Sequence, residues 1–161
     1  MGDRALVIFT DGESRFSPEI YLHWGGVYVG EFLAETRKLM VGRDGDVAYT
    51  AARFAGICHE HTPGNLSLGI HNAPQGTDYA EILSTLTDKG HSPGDAGVFI
   101  VNIRHARPGD PEAEYPELGD DGRTGGNTWR VEVHHGYGFH DENVSGMVFD
   151  THKLAYFPPT S

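Results

Sequence analysis

The chain of 161 residues holds one cysteine, Cys58. That scarcity excludes an internal disulfide and any zinc site built from several thiolates. Basic residues are also few: Lys and Arg number 12 against 23 Asp and Glu, for a formal charge of −11 at pH 7 with neutral His. A surface of that sign repels a polyanion over most of its area, which argues against direct nucleic-acid binding. Long apolar runs are missing too, and none approaches the roughly 20 residues that span a bilayer. The opening Met-Gly-Asp-Arg-Ala-Leu lacks the basic region and cleavage site of a secretory signal. A cytoplasmic protein without membrane contact is expected.

Core-forming residues are present in quantity. Hydrophobic residues make up 38% of the chain, with eight Phe, seven Tyr and two Trp. This is enough for one folded domain over residues 1–161. The 22 glycines are about twice the ordinary share of roughly 7%, and they point to tight turns and short elements.

Residues 4–10, Arg-Ala-Leu-Val-Ile-Phe-Thr, read as a strand that ends at the turn signal Asp11-Gly12. A second strand is expected over 18–24, with Ile20, Leu22 and Trp24 on one face and Tyr21 and His23 on the other. Together they form an N-terminal hairpin. After Gly25-Gly26 the period becomes helical: Val29, Phe32, Leu33 and Leu39 or Met40 share a face, with Glu31 near the start and Arg37 and Lys38 near the end. A second helix begins at the N-cap Asp46, carries Val47, Ala51, Phe54, Ala55 and Cys58 as its stripe, and stops at Pro63-Gly64. Alternation over 66–71 predicts a strand, and 78–86 a short helix with Asp78 as cap and Glu81 three residues on. Strands are expected over 98–103 and 129–134, with a weaker candidate at 147–149. The order implies a single α+β domain with a mainly antiparallel sheet and two or three helices. Its core should combine Ile8, Leu22, Trp24, Phe32, Leu33, Phe54, Leu68, Ile70 and Val98.

Two regions carry possible function. Tyr21-Leu22-His23-Trp24-Gly25-Gly26 runs from a strand into a helix, and two glycines at such a junction leave backbone N–H groups bare for an anion. Tyr21, His23, Gly25 and Gly26 would line that corner, with Arg53 adding a positive charge from the second helix. The plainer reading is a structural turn with Trp24 in the core. The motif is neither a Walker A loop nor a dinucleotide fingerprint, so no cofactor is expected. The second region is an acidic, glycine-rich loop over 108–128, bearing Asp110, Glu112, Glu114, Glu117, Asp120 and Asp121. A loop longer than about 12–15 residues is either solvated and mobile or functional. In the latter case its acids suit a protein partner with a basic surface.

The strand Arg4-Ala5-Leu6-Val7-Ile8-Phe9, the Tyr21-Leu22-His23-Trp24-Gly25-Gly26 segment, Tyr49 with Ala52-Arg53, and Ser67-Leu68-Gly69-Ile70 together resemble a family of small bacterial and phage proteins. Members of that family open on Gly-Asn-Arg-Ala and carry Tyr-Leu-His-Trp-Asn-Gly-Gly. The similarity extends through Ile70, with weaker support near Val98 and Trp129. Here Asp3 replaces the Asn, and no Asn stands between Trp24 and Gly25. The family has no assigned activity, so the resemblance implies a phage or mobile-element setting and transfers no catalytic residue.

Ten histidines raise the question of a metal. In Cys58-His59-Glu60-His61 the two histidines would face apart on a helix, and Cys58 completes an apolar stripe. His134-His135 with His140, Asp141 and Glu142 is a looser cluster. There is no His-Glu-x-x-His and no spaced cysteine pair, so no metal is expected. Gly-x-Ser-x-Gly is absent and no carboxylate pair is distinguished, leaving catalytic residues unassigned. The first functional expectation is a small acidic, non-catalytic binding protein of phage or mobile-element type, acting as an inhibitor of a host defence component. The alternative is a small enzyme or ligand-binding protein for a phosphorylated or nucleotide-like molecule at the His23–Gly26 corner.

Overall fold

The computed structural model describes residues 3–40, 43, 45–61, 68–106, 128–138 and 155–157. Strand β1 (Ala5–Thr10) is buried at every position, as a run of β-branched and aromatic residues requires when both faces of a sheet are covered. It pairs antiparallel with β2 (Ile20–Leu22), which in turn pairs antiparallel with β3 (Leu68–Ile70). On its other side β1 pairs in parallel with β4 (Gly97–Ala106), in register from Ala5 opposite Gly97 to Thr10 opposite Asn102. Strand β4 continues antiparallel to β5 (Thr128–His134), and β5 runs parallel to β6 (Ala155–Phe157). The sheet order is β3-β2-β1-β4-β5-β6.

The protein is therefore a single α+β domain with an N-terminal hairpin and three α-helices. Its sheet is mixed rather than mainly antiparallel at the centre, because the chain passes through β2, two helices, β3 and a third helix before β4 and returns in the direction of β1. Such an excursion is what a parallel pairing needs.

Helix α1 (Val29–Leu39) buries Val29, Phe32, Leu33 and Thr36, the i, i+3, i+4, i+7 face that the sequence marks out. Helix α2 (Val47–His61) buries Val47, Thr50, Ala51, Phe54, Ile57 and Cys58. Asp46 caps it, its Oδ1 accepting the Tyr49 N–H at 3.1 Å. Helix α3 (Tyr79–Leu86) starts at Asp78, which accepts the Glu81 N–H at 2.9 Å, while Glu81 accepts from Thr77 in return. The Asp78 bond satisfies one orphan donor, and the Glu81 bonds tie down the residue before the cap. Among the described residues no helix is long and apolar enough to cross a membrane.

The expected single core divides into two, one on each face of the sheet. Helices α1 and α2 pack with Val7, Phe9, Leu22, Phe99, Val131 and their neighbours. Helix α3 packs its Ile82, Leu83 and Leu86 with Leu6, Ile8, Val98 and Ile100. Two expected core residues are exposed: Trp24 is 47% accessible and Ile70 is 63% accessible. Strand β2 stops at Leu22, so the alternation that would bury Trp24 ends two residues early. Ile70 lies on β3, the outermost strand, at the sheet margin. Leu68 is half-buried against the larger core. The stop at Pro63-Gly64 and the strand candidate at 147–149 lie outside the described residues.

Phe54 is sealed and meets Phe9 edge-on at 5.3 Å between ring centroids. Phe54→Ala should therefore cost about 3–5 kcal/mol in urea denaturation, whereas Trp24→Ala should cost less than about 1 kcal/mol. Equal losses from the two substitutions would contradict the assignment of the core.

Candidate functional site

The predicted corner lies beside the amino end of β1. The Tyr21 hydroxyl and His23 Nδ1 are 3.0 Å apart, and both side chains are half-buried. The Tyr21 ring stacks on His71 across the β2–β3 pair, at 5.5 Å between centroids and 14° between planes. His23 meets Trp24 edge-on at 5.0 Å. Beyond His71, Glu19 is nearly buried and accepts from His91 Nε2 at 3.0 Å.

The glycine junction forms as expected, but the Gly26 and Val27 donors are already used. Gly25 sits at φ +92°, a conformation that suits glycine, and opens a 3₁₀ turn over Gly26–Tyr28 that leads into α1. The Gly26 N–H donates to the Asp3 carbonyl at 2.9 Å, and the Val27 N–H donates to the Asp3 carboxylate at 2.9 Å. The Tyr137 hydroxyl donates to the other Asp3 oxygen. A Cβ on Gly26 would lie 2.6 Å from the Asp3 carbonyl oxygen and 2.8 Å from the Ala96 Cβ. The anion expected at this helix start is thus the chain's own carboxylate, and a ligand phosphate there would meet like charge. This corrects the view of Gly25-Gly26 as a bare anion cradle. Burial, reinforced by the Asp3 contact, pushes the Tyr137 phenol well above its ordinary pKa.

Arg53 does not join Tyr21 and His23. It is exposed on α2, with its guanidinium carbon 5.5 Å from the Tyr49 ring centroid. Tyr49 belongs to the α2 start beside Asp46, at the carboxyl end of β1, whereas the His23 carbonyl accepts the Asp3 N–H at the amino end.

The histidine clusters disperse in the same way. Helix α2 continues through His61, so Cys58 faces the core while His59 and Glu60 face solvent. Burial pushes the Cys58 thiol far above its usual range. His61 pairs with Glu35 at 2.9 Å and stacks on Phe32. His134 approaches Glu132 at 3.4 Å, and His135 Nε2 donates to the Thr87 carbonyl at 2.8 Å. Among the described residues no group of three ligands is placed to hold a metal. His140, Asp141 and Glu142, and the loop acids Asp110, Glu112, Glu114, Glu117, Asp120 and Asp121, lie outside the described residues.

A different site stands at the opposite end of the sheet, beyond the carboxyl ends of the parallel pair β1 and β4. A cleft of ≈ 530 Å³ is lined there by Asp11, Arg15, Arg43, Gly45, Asp46, Val47 and Arg104. Asp11 and Arg15 come from the hairpin loop, Arg43 to Val47 from the α1–α2 connection, and Arg104 from β4. Both carboxylates are engaged locally. Asp11 Oδ1 accepts the N–H groups of Glu13, Ser14 and Arg15 at 2.9, 2.9 and 3.1 Å. Burial alone would raise the Asp11 pKa, but those N–H groups, with Arg104 nearby, outweigh it and hold the carboxyl below its ordinary range. Asp46 caps α2 and pairs with Arg43 at 3.3 Å. The Arg43 guanidinium also lies over the Tyr49 ring at 3.5 Å.

Arg15 and Arg104 differ from these. Among the described residues neither guanidinium has a hydrogen-bond or ion-pair partner. Gly45, at φ +82°, presents bare backbone to Arg104, whose Nε would lie 2.1 Å from a Cβ placed there. The arrangement brings together two planar donor forks that are uncommitted among the described residues and a third held by Asp46 and a ring, a set suited to oxyanions. No histidine, cysteine or lysine is among the described lining residues, so the geometry favours binding over proton transfer. Sequence reasoning missed the site because Arg15, Arg43 and Arg104 share no motif and come from two separate loops and a strand.

Comparison with protein-family models, with curated proteins and with solved structures gave no match to this chain.

The amino end of the sheet is closed by an ion pair. Arg4 donates its backbone N–H and its Nε to Asp95 Oδ2 at 3.1 and 2.9 Å, and these bonds hold the Asp95 carboxyl below its ordinary value of 3.8. A depressed carboxylate stabilises the fold above its unfolded pKa, and that contribution fades as pH falls through the folded value. Asp95 has φ +52°, which Asn tolerates. Asp95→Asn should therefore lose stability at pH 7, with the gap to the parent closing below about pH 4 in urea titrations. A gap that stays constant or widens toward acid would show that the ion pair is not the source.

Proposed function

We propose that this protein binds a small phosphorylated molecule in the Arg15–Arg43–Arg104 cleft and performs no chemistry on it. The observation that carries the reading is the convergence of Arg15, Arg43 and Arg104 on one cleft in a chain of net charge −11, with Arg15 and Arg104 making no hydrogen bond or ion pair through their guanidinium groups among the described residues. Ligands of sheet proteins favour the carboxyl ends of parallel strands, where diverging loops leave a crevice. The acidic remainder of the surface disfavours nucleic acid and other long polyanions, so a compact anion with few charges fits best.

A second reading concerns a macromolecular partner. The acidic run from Asp110 to Asp121 contains no basic residue, and it supports docking on a basic protein surface, as an inhibitor of a host defence component would do. The resemblance carried by Tyr21-Leu22-His23-Trp24 supplies the phage or mobile-element setting. A reducing cytoplasm agrees with a single buried cysteine that forms no disulfide. The two readings concern different residues and are compatible.

Titration calorimetry with inorganic phosphate and pyrophosphate at low salt should give saturable one-site binding that weakens as salt rises. Arg15→Gln and Arg104→Gln should each weaken it about tenfold or more, the scale of one lost charge-assisted bond. Both residues are exposed, so stability should change by less than about 0.5 kcal/mol. Binding untouched by both substitutions would overturn the reading.

A further inference from the structure

The arginine cleft does not end at the arginines. A second hollow of ≈ 390 Å³ shares Arg15 and Val47 with it and is lined further on by Phe16, Pro18, Ala48, Pro74 and Ile82. The hairpin loop, the first turn of α2, and α3 with the segment before it form its walls. The Phe16 ring is held in place by stacking on Tyr79, with centroids 4.7 Å apart and planes 23° from parallel. The Tyr79 hydroxyl is itself 3.3 Å from Thr10 Oγ1.

Apart from the shared Arg15, the polar side chains of this hollow, Ser14 and Ser17, are already committed. Ser17 Oγ accepts the Phe9 N–H at 3.0 Å and donates to the Pro18 carbonyl at 2.8 Å. Ser14 Oγ donates to Asp11 Oδ2 at 3.5 Å, and its N–H donates to Asp11 Oδ1. What this half presents is ring and aliphatic surface, while the half beyond Arg15 presents guanidinium groups. Two adjoining hollows of opposite character, joined through shared residues, match a ligand of opposite ends.

We propose that the ligand is a phosphate monoester with a flat apolar body, an aryl phosphate in chemical class. Its phosphate would lie among Arg15, Arg43 and Arg104, and its ring against Phe16, Pro18 and Ala48. The inference rests on the anion reading of the arginine cleft and adds the nature of the body attached to the anion. A nucleobase suits the hollow less well. Its edge donors and acceptors would be stripped of water without finding replacements, and unpaired polar groups lower affinity. An aryl ring loses only apolar surface to the protein, which favours binding in proportion to the area covered.

The test compares inorganic phosphate, 1-naphthyl phosphate and adenosine monophosphate by calorimetry on the unaltered protein and on Ala48→Trp. Ala48 is an exposed position in the first turn of α2, so a Trp there fills the hollow without entering the core. Naphthyl phosphate should bind the parent about tenfold or more tighter than inorganic phosphate, the scale of burying part of an aromatic body. Ala48→Trp should erase that advantage, so that naphthyl phosphate and inorganic phosphate bind this variant equally. Inorganic phosphate binding with no gain from the naphthyl group would overturn the apolar-body inference and leave the anion reading standing. Adenosine monophosphate binding tighter than naphthyl phosphate would overturn it in favour of a nucleotide. Failure of all three to bind would remove the anion reading, and this inference with it.

Discussion

Strand β1 has no accessible face along its whole length, and it pairs with β4 in parallel over six residues. Sealing both sides of such a strand requires apolar layers above and below it. Helices α1 and α2 supply one layer and α3 the other. Each large aliphatic or aromatic side chain withdrawn from water contributes about 1.5–3 kcal/mol relative to exposure, so the two cores outweigh any single polar contact described here. The parallel pairing also decides where loops collect. The carboxyl ends of β1 and β4 point the same way, and the hairpin loop, the α1–α2 connection and Arg104 gather there.

The two ends of that pair have opposite electrostatic character. At the amino end, charge is satisfied within the protein: Asp3 receives the Val27 N–H and the Tyr137 hydroxyl, and Asp95 receives Arg4 twice. These contacts order the start of the chain and fix the entry of α1. At the carboxyl end the two aspartates are spent on turning the loop and capping α2, which leaves guanidinium groups over. Internal pairing closes one end of the sheet, and its incompleteness opens the other. A protein that is acidic overall thereby gathers three arginines at one end of the sheet, where the proposed anion would bind.

Much of this fold was legible in the sequence because its signals are local. The run Arg4-Ala5-Leu6-Val7-Ile8-Phe9-Thr10, the Asp11-Gly12 turn, the stripe Val47, Ala51, Phe54, Cys58 and the Asp78–Glu81 cap each depend on neighbours within a turn or two. Pairing partners are a different matter. Nothing in an apolar run such as Val98 to Ile103 encodes whether it lies parallel or antiparallel to β1, so the mixed centre of the sheet could not be read. Trp24 was misplaced because strand alternation was extended past Leu22, where the backbone turns toward Gly25. At the predicted corner Tyr21 and His23 do meet, but the Gly26 and Val27 donors are taken by Asp3, near the chain start, whose carboxylate also receives Tyr137, remote in sequence. The arginine cleft left no trace at all, since only the fold brings Arg15 and Arg43 from two loops to Arg104 on β4.

The central claim is that a small anion enters at the carboxyl end of the β1–β4 pair and is refused at the amino end. Amide chemical-shift mapping during a titration with inorganic phosphate tests this most directly, because it locates the ligand without altering any residue. The account predicts saturable shifts concentrated on the amides of Gly12, Arg15, Gly45 and Arg104. Shifts concentrated instead on Gly25, Gly26 and Val27 would contradict it.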